Sequence, residues 1–247
     1  MISKEDYLSG QVLLIDKPLH WTSFQVVNKL RWEIRQAFKI KKIKVGHAGT
    51  LDPLATGLLI ICTGKMTKEI DSYQAQVKEY TGTIVLGSTT PSFDLETEVN
   101  ETFPTNHITE DLIKETTKQF IGEIQQIPPV FSAIKKDGKR LYEFARAGEE
   151  VEIKSRTVTI SEFEITNIDP STKSILSEVE RLSTGSLNID FRAVCSKGTY
   201  IRSLANDFGK ALQSGAHLSA LRRTKIGDFH VDNSVSIEIF IKNLASE

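Results

Sequence analysis

The sequence has few of the features of secreted proteins, of membrane-spanning proteins or of proteins stabilised by a structural metal ion. It contains two cysteines, Cys62 and Cys195, which are too few for a disulfide scaffold or a structural zinc site. Its longest uninterrupted apolar segment, LLIIC at 58–62, is far shorter than the roughly 20 residues that a membrane-spanning helix needs. The first residues show no basic region followed by a long apolar stretch. These absences favour a folded protein of a reducing cytoplasm.

Internal repeats, low-complexity tracts and proline-rich linkers are also missing, and the seven prolines are scattered along the chain. A chain of 247 residues can bury roughly 70 to 75% of the surface that it exposes when unfolded. The sequence therefore predicts one large domain whose core requires neither a disulfide nor a metal ion.

The formal net charge of −1 does not by itself favour a polyanionic partner, but the charges are segregated along the chain. Lys29–Lys44 and Arg192–Lys225 each contain seven basic residues and one acid, whereas Ser92–Glu123 contains eight acids and two lysines. One basic run is as consistent with a solvated surface as with phosphate contacts. Two basic runs on either side of the same candidate catalytic residues would indicate a nucleic-acid partner.

Hydrophobic patterning predicts long strands with interspersed helices but no regular strand–helix alternation. Helices are expected from a cap at Thr22-Ser23, at 110–120 and at 199–212, and strands are expected at 11–16, 58–62, 78–87, 157–165, 175–181 and 187–196. This order is typical of an α+β fold with a mixed or mostly antiparallel sheet.

The segment GHAGTLDPLATGLL at 46–59 is the most unusual stretch of the chain. Its small residues let the backbone turn tightly, and Pro53 keeps Asp52 out of helical geometry, so that a rigid loop presents the carboxylate. Such a group can be a nucleophile, a base or an electrostatic partner. An aspartate that only bonds turn amides has the same signature, and His47 could equally be a histidine bonded to the loop backbone.

Six segments, taken together and in order, resemble the TruB-type tRNA pseudouridine synthases. They are DKPLHWTS (16–23), GHAGTLDPLATGLL (46–59), KEYTGTIVLG (78–87), QIPPVFSAIKKDGKRLYEFARAG (126–148), CSKGTYIRSLANDFG (195–209) and LSALRRTKIGDF (218–229). The resemblance implies the pseudouridine synthase fold, with a curved, mixed and mostly antiparallel central sheet, flanking helices and a cleft. It also implies isomerisation of uridine 55 in the T-loop of tRNA to pseudouridine, with no metal or other cofactor.

In this reaction the uracil leaves C1′ of the ribose, rotates while it is held in the pocket, and rejoins the sugar through C5. The resemblance makes Asp52 the essential residue, and the sequence leaves open whether its carboxylate attacks C1′ or removes the C2′ proton. It assigns Arg202 to the charge that keeps this carboxylate ionised and oriented. Tyr80 is expected to stack on the target base and to take part in removing the C5 proton.

Further residues are assigned on the same basis. Tyr200 and Leu221 would line the uridine pocket, although plain core packing is compatible with Leu221 as well. His47 would stack where the flipped base had been, and Lys17 and Pro18 would support the catalytic loop. A Gly-containing loop is expected to contact the T-arm through four basic residues, namely Lys135, Lys136, Lys139 and Arg140.

We expect residues 1–230 to form the catalytic domain and 231–247 to form a strand and a short amphipathic helix. Many members of the family carry a C-terminal RNA-binding domain of the PUA type, which we expect to be absent here. The expected partner is the T-arm of tRNA, bound by a monomer that needs no other protein. Two alternatives stay open: a tRNA-folding chaperone, and the guide-RNA-directed relative that works inside a multi-subunit particle.

Overall fold

The computed structural model describes residues 2–149, 151–169 and 185–245. Within these ranges the chain forms seven helices and thirteen strands, divided between two compact units. The first unit comprises Met1–Tyr80 and Leu221–Glu247, and the second comprises Thr81–Ala220. The predicted strand at 175–181 lies outside the described residues.

The first unit contains the elements on either side of the segment 46–59. In chain order they are α1 (Lys4–Ser9), β1 (Val12–Lys17), α2 (Ser23–Ala37), β2 (Val45–His47), β3 (Ala55–Thr63), a 3-10 helix (Gly64–Glu69), α3 (Ile70–Ala75), the start of β4 (Lys78–Leu86), the end of β12 (Ala216–Ile226), β13 (Phe229–His230), a second 3-10 helix (Val231–Asn233) and α7 (Ile237–Ala245).

Strands β1 and β3 pair antiparallel, and β3 is buried on both faces. On one face Leu59 and Ile61 pack against residues of α2 and α7, and on the other Leu58 and Ile60 pack in a second cluster with residues of α3. A strand with both faces covered needs no polar alternation. This is why β3 reads as an unbroken apolar run in the sequence.

Helix α2 begins where the sequence predicts. Thr22 and Gln25 form a capping box, in which each side chain bonds the backbone of the other residue. The buried face of the helix contains Val26, Val27, Leu30 and Ile34, at the spacing of three and four residues that brings side chains to one side of a helix.

The second unit contains the remainder of β4 and the beginning of β12, because the boundaries between the units fall inside these two strands. Its other elements are β5 (Ser88–Thr89), β6 (Glu101–Thr102), α4 (Glu110–Thr117), a 3-10 helix (Lys118–Phe120), β7 (Gly122–Gln126), β8 (Lys135–Lys136), β9 (Lys139–Arg140), α5 (Leu141–Ala147), β10 (Arg156–Ile168), β11 (Leu187–Cys195) and α6 (Ile201–Ala211). The strands in this part are ordered β12, β4, β11, β10, β7.

Aromatic side chains form the centre of the second unit. The ring of Phe163 lies 5.2 Å from that of Phe208 and about 6 Å from those of Phe120 and Phe191, in edge-to-face arrangements. Phe208 belongs to α6, whose apolar face is buried as its sequence period predicts. The helices predicted at 110–120 and 199–212 are thus confirmed.

The sheet is mixed. Strands β3 and β12 run parallel, while β1 with β3, β2 with β3, β7 with β10, β10 with β11, and β12 with β13 are antiparallel. Helices pack against it in both units. The predicted class, α+β with a mixed and mostly antiparallel sheet, is confirmed.

The last described residues differ in part from expectation. The amphipathic helix is present as α7, with Ile237, Phe240 and Leu244 buried. The strand expected before it is not formed: residues 231–233 make a 3-10 turn, and Val235 forms an isolated bridge with Ile15. The single bridge is enough to join this segment to β1 without extending the sheet.

Candidate active site

Asp52 lies in the loop that connects β2 to β3, in the first unit. Its side chain is partly exposed, between the buried Leu51 and the exposed Pro53. Its carbonyl oxygen accepts a hydrogen bond of 3.1 Å from the amide of Ala55, the first residue of β3. The turn predicted for this segment therefore forms directly before the strand.

The residues on both sides of Asp52 are bonded to the segment that precedes and begins α2. The buried hydroxyl of Ser23 accepts a hydrogen bond of 2.8 Å from the amide of Leu51 and donates one of 3.2 Å to its carbonyl oxygen. The amide of His20 donates a 2.8 Å hydrogen bond to the carbonyl oxygen of Pro53. The backbone is thus held immediately before and immediately after the carboxylate.

Arg223 holds the same loop from β12. This residue is 1% exposed, and its guanidinium donates to three carbonyl oxygens: those of Leu58 (2.8 Å), Gly49 (3.0 Å) and Thr50 (3.4 Å). Its backbone lies opposite Gly57 of β3 in the parallel pair. A side chain at Gly57 would place a Cβ 2.3 Å from the carbonyl oxygen of Arg223, so glycine is required for this close approach.

Lys17 is fully buried at the end of β1, and its ammonium donates to the carbonyl oxygens of Pro18 (2.9 Å) and Trp21 (2.7 Å). Burial lowers the pKa of Lys17 from 10.5 to about 8. The negative charge of Asp52 opposes this shift and the positive charge of Arg223 adds to it. Lys17 therefore lies within electrostatic range of Asp52 but bonds the backbone.

His47 is the last residue of β2 and is paired with Ile61 of β3. Burial, followed by the charge of Arg223, lowers the pKa of His47 from 6.5. Burial therefore favours the neutral form of the His47 imidazole over the charged form.

Two more of the predicted residues belong to strands of the first unit. Tyr80 is buried in β4, and Leu221 lies in β12, paired with Ala55 of β3 in parallel register. Leu221 therefore lies on the strand next to β3, opposite the first residue after the Asp52 loop. Together with His47, Asp52, Lys17 and Pro18, they make six of the predicted site residues that fall in this unit.

Arg202 and Tyr200 belong to the second unit, at the start of α6. Arg202 is buried; its guanidinium donates to the carbonyl oxygens of Ser92 (3.1 Å) and Phe131 (2.9 Å), and its Nε lies 3.6 Å from a carboxylate oxygen of Asp94. These contacts hold the guanidinium in one orientation. The predicted pairing of Arg202 with Asp52 stays a prediction.

Gln126 positions Tyr200 and was not singled out from the sequence. Its buried side-chain amide accepts from the amide of Tyr200 (2.7 Å) and donates to the carbonyl oxygen of the same residue (3.0 Å). The guanidinium of Arg156 lies 5.6 Å from the centre of the Tyr200 ring. No local pattern in the sequence marks this glutamine, because its partner is 74 residues away.

The four basic residues expected in a Gly-containing loop form a β-hairpin. Lys135 pairs with Arg140 and Lys136 with Lys139, around a two-residue turn at Asp137 and Gly138. Both turn residues have positive φ, 52° and 84°, as a tight hairpin turn requires. All four basic side chains are exposed. The Asp-Gly pair was the sequence signal for this hairpin.

The second basic run is not the exposed surface that its composition indicated. Arg202 and Arg223 are buried, and Arg222 makes a bidentate ion pair with Asp16, with distances of 2.7 and 3.0 Å. Arg192 of β11 pairs with Glu162 and Glu164 of the adjacent strand β10. Lys197 and Lys210 are exposed, so that only part of this run is placed to meet a phosphate.

Among the described residues, no helix is both long and apolar enough to cross a lipid bilayer. In the same ranges, no three histidine, cysteine, aspartate or glutamate side chains cluster closely enough to hold a metal ion. Cys62 and Cys195 are buried thiols, and burial raises the pKa of Cys62 to about 11, which makes it a poor nucleophile at pH 7.

Comparison with known protein families finds matches along nearly the whole chain. Residues 35–201 match the model of the TruB family pseudouridylate synthase N-terminal domain, and residues 202–246 match that of the tRNA pseudouridylate synthase B C-terminal domain. The tRNA pseudouridine synthase B of Flavobacterium johnsoniae is 63% identical over 244 residues, which are 98% of this chain and 100% of that protein. The protein of the same name from Chlorobium luteolum is 44% identical over 93% of this chain and 74% of its own length.

Solved structures with a similar fold include proteins of larger complexes. The chain matches a protein in an H/ACA RNP bound to a substrate RNA containing 2′-deoxyuridine, with a TM-score of 0.64 and 26% identity, and one in a Cbf5-Nop10-Gar1 complex, with a TM-score of 0.66 and 27% identity. Each match covers 97% of this chain, but the chain spans about half the length of those proteins, 55% and 56%.

Proposed function

The chain belongs to the TruB family of pseudouridylate synthases, and from this premise we propose that it converts uridine 55 in the T-loop of tRNA to pseudouridine. The structural observation that carries the proposal is the loop of Asp52. Its backbone is bonded on both sides of the carboxylate by Ser23, His20 and Arg223. A group that must act on one atom of a bound nucleotide needs this kind of fixed presentation.

Asp52 is the residue proposed to act on the sugar. As a nucleophile it would form a bond to C1′ while the glycosidic bond to the uracil breaks; as a base it would take the C2′ proton. Both roles require the ionised carboxylate, and its negative charge would also stabilise a transition state with oxocarbenium character at C1′. Either way the uracil is released in place and reattached through C5, whose proton must then be removed.

Arg202 is proposed to supply the positive charge that favours the ionised form of Asp52 and orients it. A guanidinium suits this role because its planar fork can bond both oxygens of a carboxylate. Its bonds to the carbonyl oxygens of Ser92 and Phe131 and its contact with Asp94 support the proposal, because they hold the group without rotational freedom.

Aromatic and apolar residues are proposed to bind the base. Tyr80 would stack on the detached uracil, because stacking tolerates rotation of the ring better than a set of directional hydrogen bonds does, and would assist in removing the C5 proton. Tyr200 and Leu221 would line the pocket. His47 would fill the gap that the flipped uridine leaves in the T-loop, at a cost of a few kcal/mol for unstacking.

Phosphate contacts would offset the cost of flipping. The exposed hairpin of Lys135, Lys136, Lys139 and Arg140 is proposed to bind the T-arm backbone, since clustered cations on a surface element suit a phosphate chain. We propose that the protein acts on tRNA as a monomer in the cytoplasm, with no obligatory protein partner and no cofactor. Residues 1–230 would be the catalytic domain and 231–247 an extension of it.

The two alternatives are not favoured. A guide-RNA-directed protein would be expected to resemble most the proteins of the H/ACA RNP and of the Cbf5-Nop10-Gar1 complex. The chain is 26 to 27% identical to these proteins, against 63% to a tRNA pseudouridine synthase B. A chaperone that only folds tRNA has no need of a tethered carboxylate. Folding assistance can nevertheless accompany catalysis, and the experiment below separates the two.

The test is incubation of the purified protein with unmodified tRNA, followed by mapping of pseudouridine. We expect modification of the T-loop uridine by the wild type, and a loss of rate of about a thousandfold or more with Asp52→Asn and Asp52→Ala. Asp71→Asn, at an exposed aspartate of α3, is the matched control and should keep full activity.

Two results would contradict the proposal. No pseudouridine formed by the wild type would refute the activity, and retained activity in Asp52→Ala would refute the role of Asp52. A parallel assay of tRNA folding addresses the chaperone: folding assistance lost together with isomerisation in Asp52→Asn would dismiss an independent chaperone function.

A further inference from the structure

We propose that Arg223 is a positioning residue of the isomerisation, which orients the Asp52 carboxylate by holding the backbone of the loop that carries it. The inference rests on the proposed function and adds a residue to it. Composition had grouped Arg223 with surface cations that could meet RNA phosphates, but a side chain with 1% exposure has no access to RNA.

The three hydrogen bonds of Arg223 join the two sides of the loop that contains Asp52. Nε bonds the carbonyl oxygen of Leu58, which lies in β3 after the loop, while Nη1 and Nη2 bond those of Thr50 and Gly49, which precede Asp52. One rigid, planar group thereby fixes the distance between the two ends of the segment that contains Asp52. Rotation of the loop about either end would break at least one of these bonds.

Arginine is suited to this position for a chemical reason. Its five N–H donors are arranged in a planar fork and can serve several carbonyl oxygens at once, whereas lysine carries its charge on a single flexible point. Among the described residues no carboxylate forms an ion pair with Arg223. The dipoles of the three carbonyl groups therefore compensate the cost of burying its charge. A lysine at 223 could restore the charge but not the three-way bridge.

Two glycines shape the contact between Arg223 and the loop. Gly49 has a φ of 97°, a conformation that favours glycine, although a Cβ there would lie at an ordinary contact distance of 3.5 Å from Nη1 of Arg223. Gly57, with a φ of 103°, lets β12 come close enough to β3 for the side chain to reach across. Of the small residues that made this segment conspicuous in the sequence, Gly57 is thus explained by a partner 166 residues away along the chain.

Arg223 is also central to the charges around the loop. Its positive charge lowers the pKa of both Lys17 and His47. The arrangement places two buried cations, Arg223 and Lys17, within electrostatic range of residues on the Asp52 loop, each bonded to the backbone. Ser23 holds Leu51 independently, so the loss of Arg223 should loosen the loop and not release it altogether.

The test compares Arg223→Lys and Arg223→Met with the wild type on unmodified tRNA. We expect kcat to fall by about 10- to 100-fold, because a displacement of the catalytic carboxylate by up to about 1 Å has an effect of this size. KM for tRNA should stay within about twofold of the wild-type value. Amide hydrogen exchange at Thr50, Leu51 and Asp52 should become faster in both variants. Guanidinium ion added to Arg223→Ala should recover part of the lost kcat.

Ile34→Ala is the matched control, because Ile34 is a buried residue of α2 that has no part in the loop. It should lose a comparable amount of thermal stability while kcat and the exchange of residues 50–52 remain as in the wild type. If Arg223→Met does not fold, Arg223→Lys, which keeps the aliphatic stem, decides the matter.

Three results would overturn the inference: unchanged kcat in a folded Arg223 variant, a rise in KM at constant kcat, or equal losses of kcat in Ile34→Ala and the Arg223 variants. If the wild type itself forms no pseudouridine, the proposed function fails first. The exchange measurement still reports in that case whether Arg223 orders the loop, so the two failures are distinguishable.

Discussion

At the scale of single residues, the buried cations around Asp52 are bonded to carbonyl oxygens. Lys17 bonds those of Pro18 and Trp21, and Arg223 bonds those of Gly49, Thr50 and Leu58. In the sequence, Arg223 belongs to the string LRRTK and is indistinguishable from a surface cation. Partners of this kind are backbone groups, which every residue has, and therefore leave no trace in the side-chain pattern.

Lys17 should make the free energy of unfolding depend on pH above neutrality. Its pKa is about 8 in the folded protein and returns to about 10.5 when the chain unfolds. Between these values the unfolded chain binds more protons, so stability rises with pH, by about 1.4 kcal/mol per pH unit at most. Below pH 8 the lysine is protonated in both states and its contribution is constant.

Urea unfolding of the wild type and Lys17→Met between pH 7 and pH 10 measures this effect. The difference in free energy of unfolding, wild type minus variant, should become more positive above pH 8. Lys42→Met, at an exposed lysine, controls for the loss of a lysine elsewhere. A wild-type minus Lys17→Met difference that stays constant over the whole range would show that burial does not perturb Lys17.

At the scale of helices and strands, local signals were reliable where the element is periodic and capped. The capping residue Thr22, the apolar run of β3 and the face of α6 were all predicted at their positions. The hairpin of β8 and β9 was missed although its Asp-Gly turn is a strong local signal. Its strands have two residues each, too few for any alternation to show.

Gly57 is the residue of β3 on which the parallel pairing with β12 depends. Gly57→Ala should lower the free energy of unfolding by about 3 kcal/mol, because the new Cβ would lie 2.3 Å from a backbone oxygen of Arg223 and φ is 103°. Gly122→Ala is the matched control: φ is 102°, but nothing lies within 4 Å of the added Cβ. The control isolates the cost of the backbone conformation.

Denaturant unfolding of both variants gives the comparison. The excess loss in Gly57→Ala over Gly122→Ala is the cost of forcing β3 and β12 apart, and activity should fall in Gly57→Ala alone, since Arg223 moves with its strand. Equal losses of stability would mean that β3 and β12 tolerate a side chain between them.

At the scale of the whole molecule, the net charge of −1 conceals surfaces of different sign. The hairpin of β8 and β9 presents four exposed cations. The two lysines of the acidic segment 92–123 are instead paired with glutamates of α4: Lys114 with Glu110, and Lys118, directly after the helix, with Glu115. Exposed cations without such partners are the ones that can exchange counterions for phosphates.

Binding of tRNA should therefore weaken steeply with salt despite a sequence pI of about 6.5. Titration of fluorescent unmodified tRNA at several salt concentrations gives the slope of log K against log salt. Lys135→Gln/Lys139→Gln should reduce this slope by about 0.7 to 0.9 per lost phosphate contact. Lys114→Gln/Lys118→Gln, which removes two paired lysines, should leave it unchanged. A wild-type affinity that does not vary with salt would contradict the predicted RNA surface.

The sequence by itself determined the class of fold, most of the helices and strands, the family and the loop that carries Asp52, because apolar period, caps and glycine–proline punctuation act over a few residues. Tertiary structure decided which charges are buried and what holds the loop. Ser23 lies 28 residues from Leu51 in the chain, and Arg223 lies 174 residues from Gly49. Contacts over such separations exist only after the chain has folded, and the groups that they bond on the loop are backbone amides and carbonyl oxygens, which every residue but proline has alike.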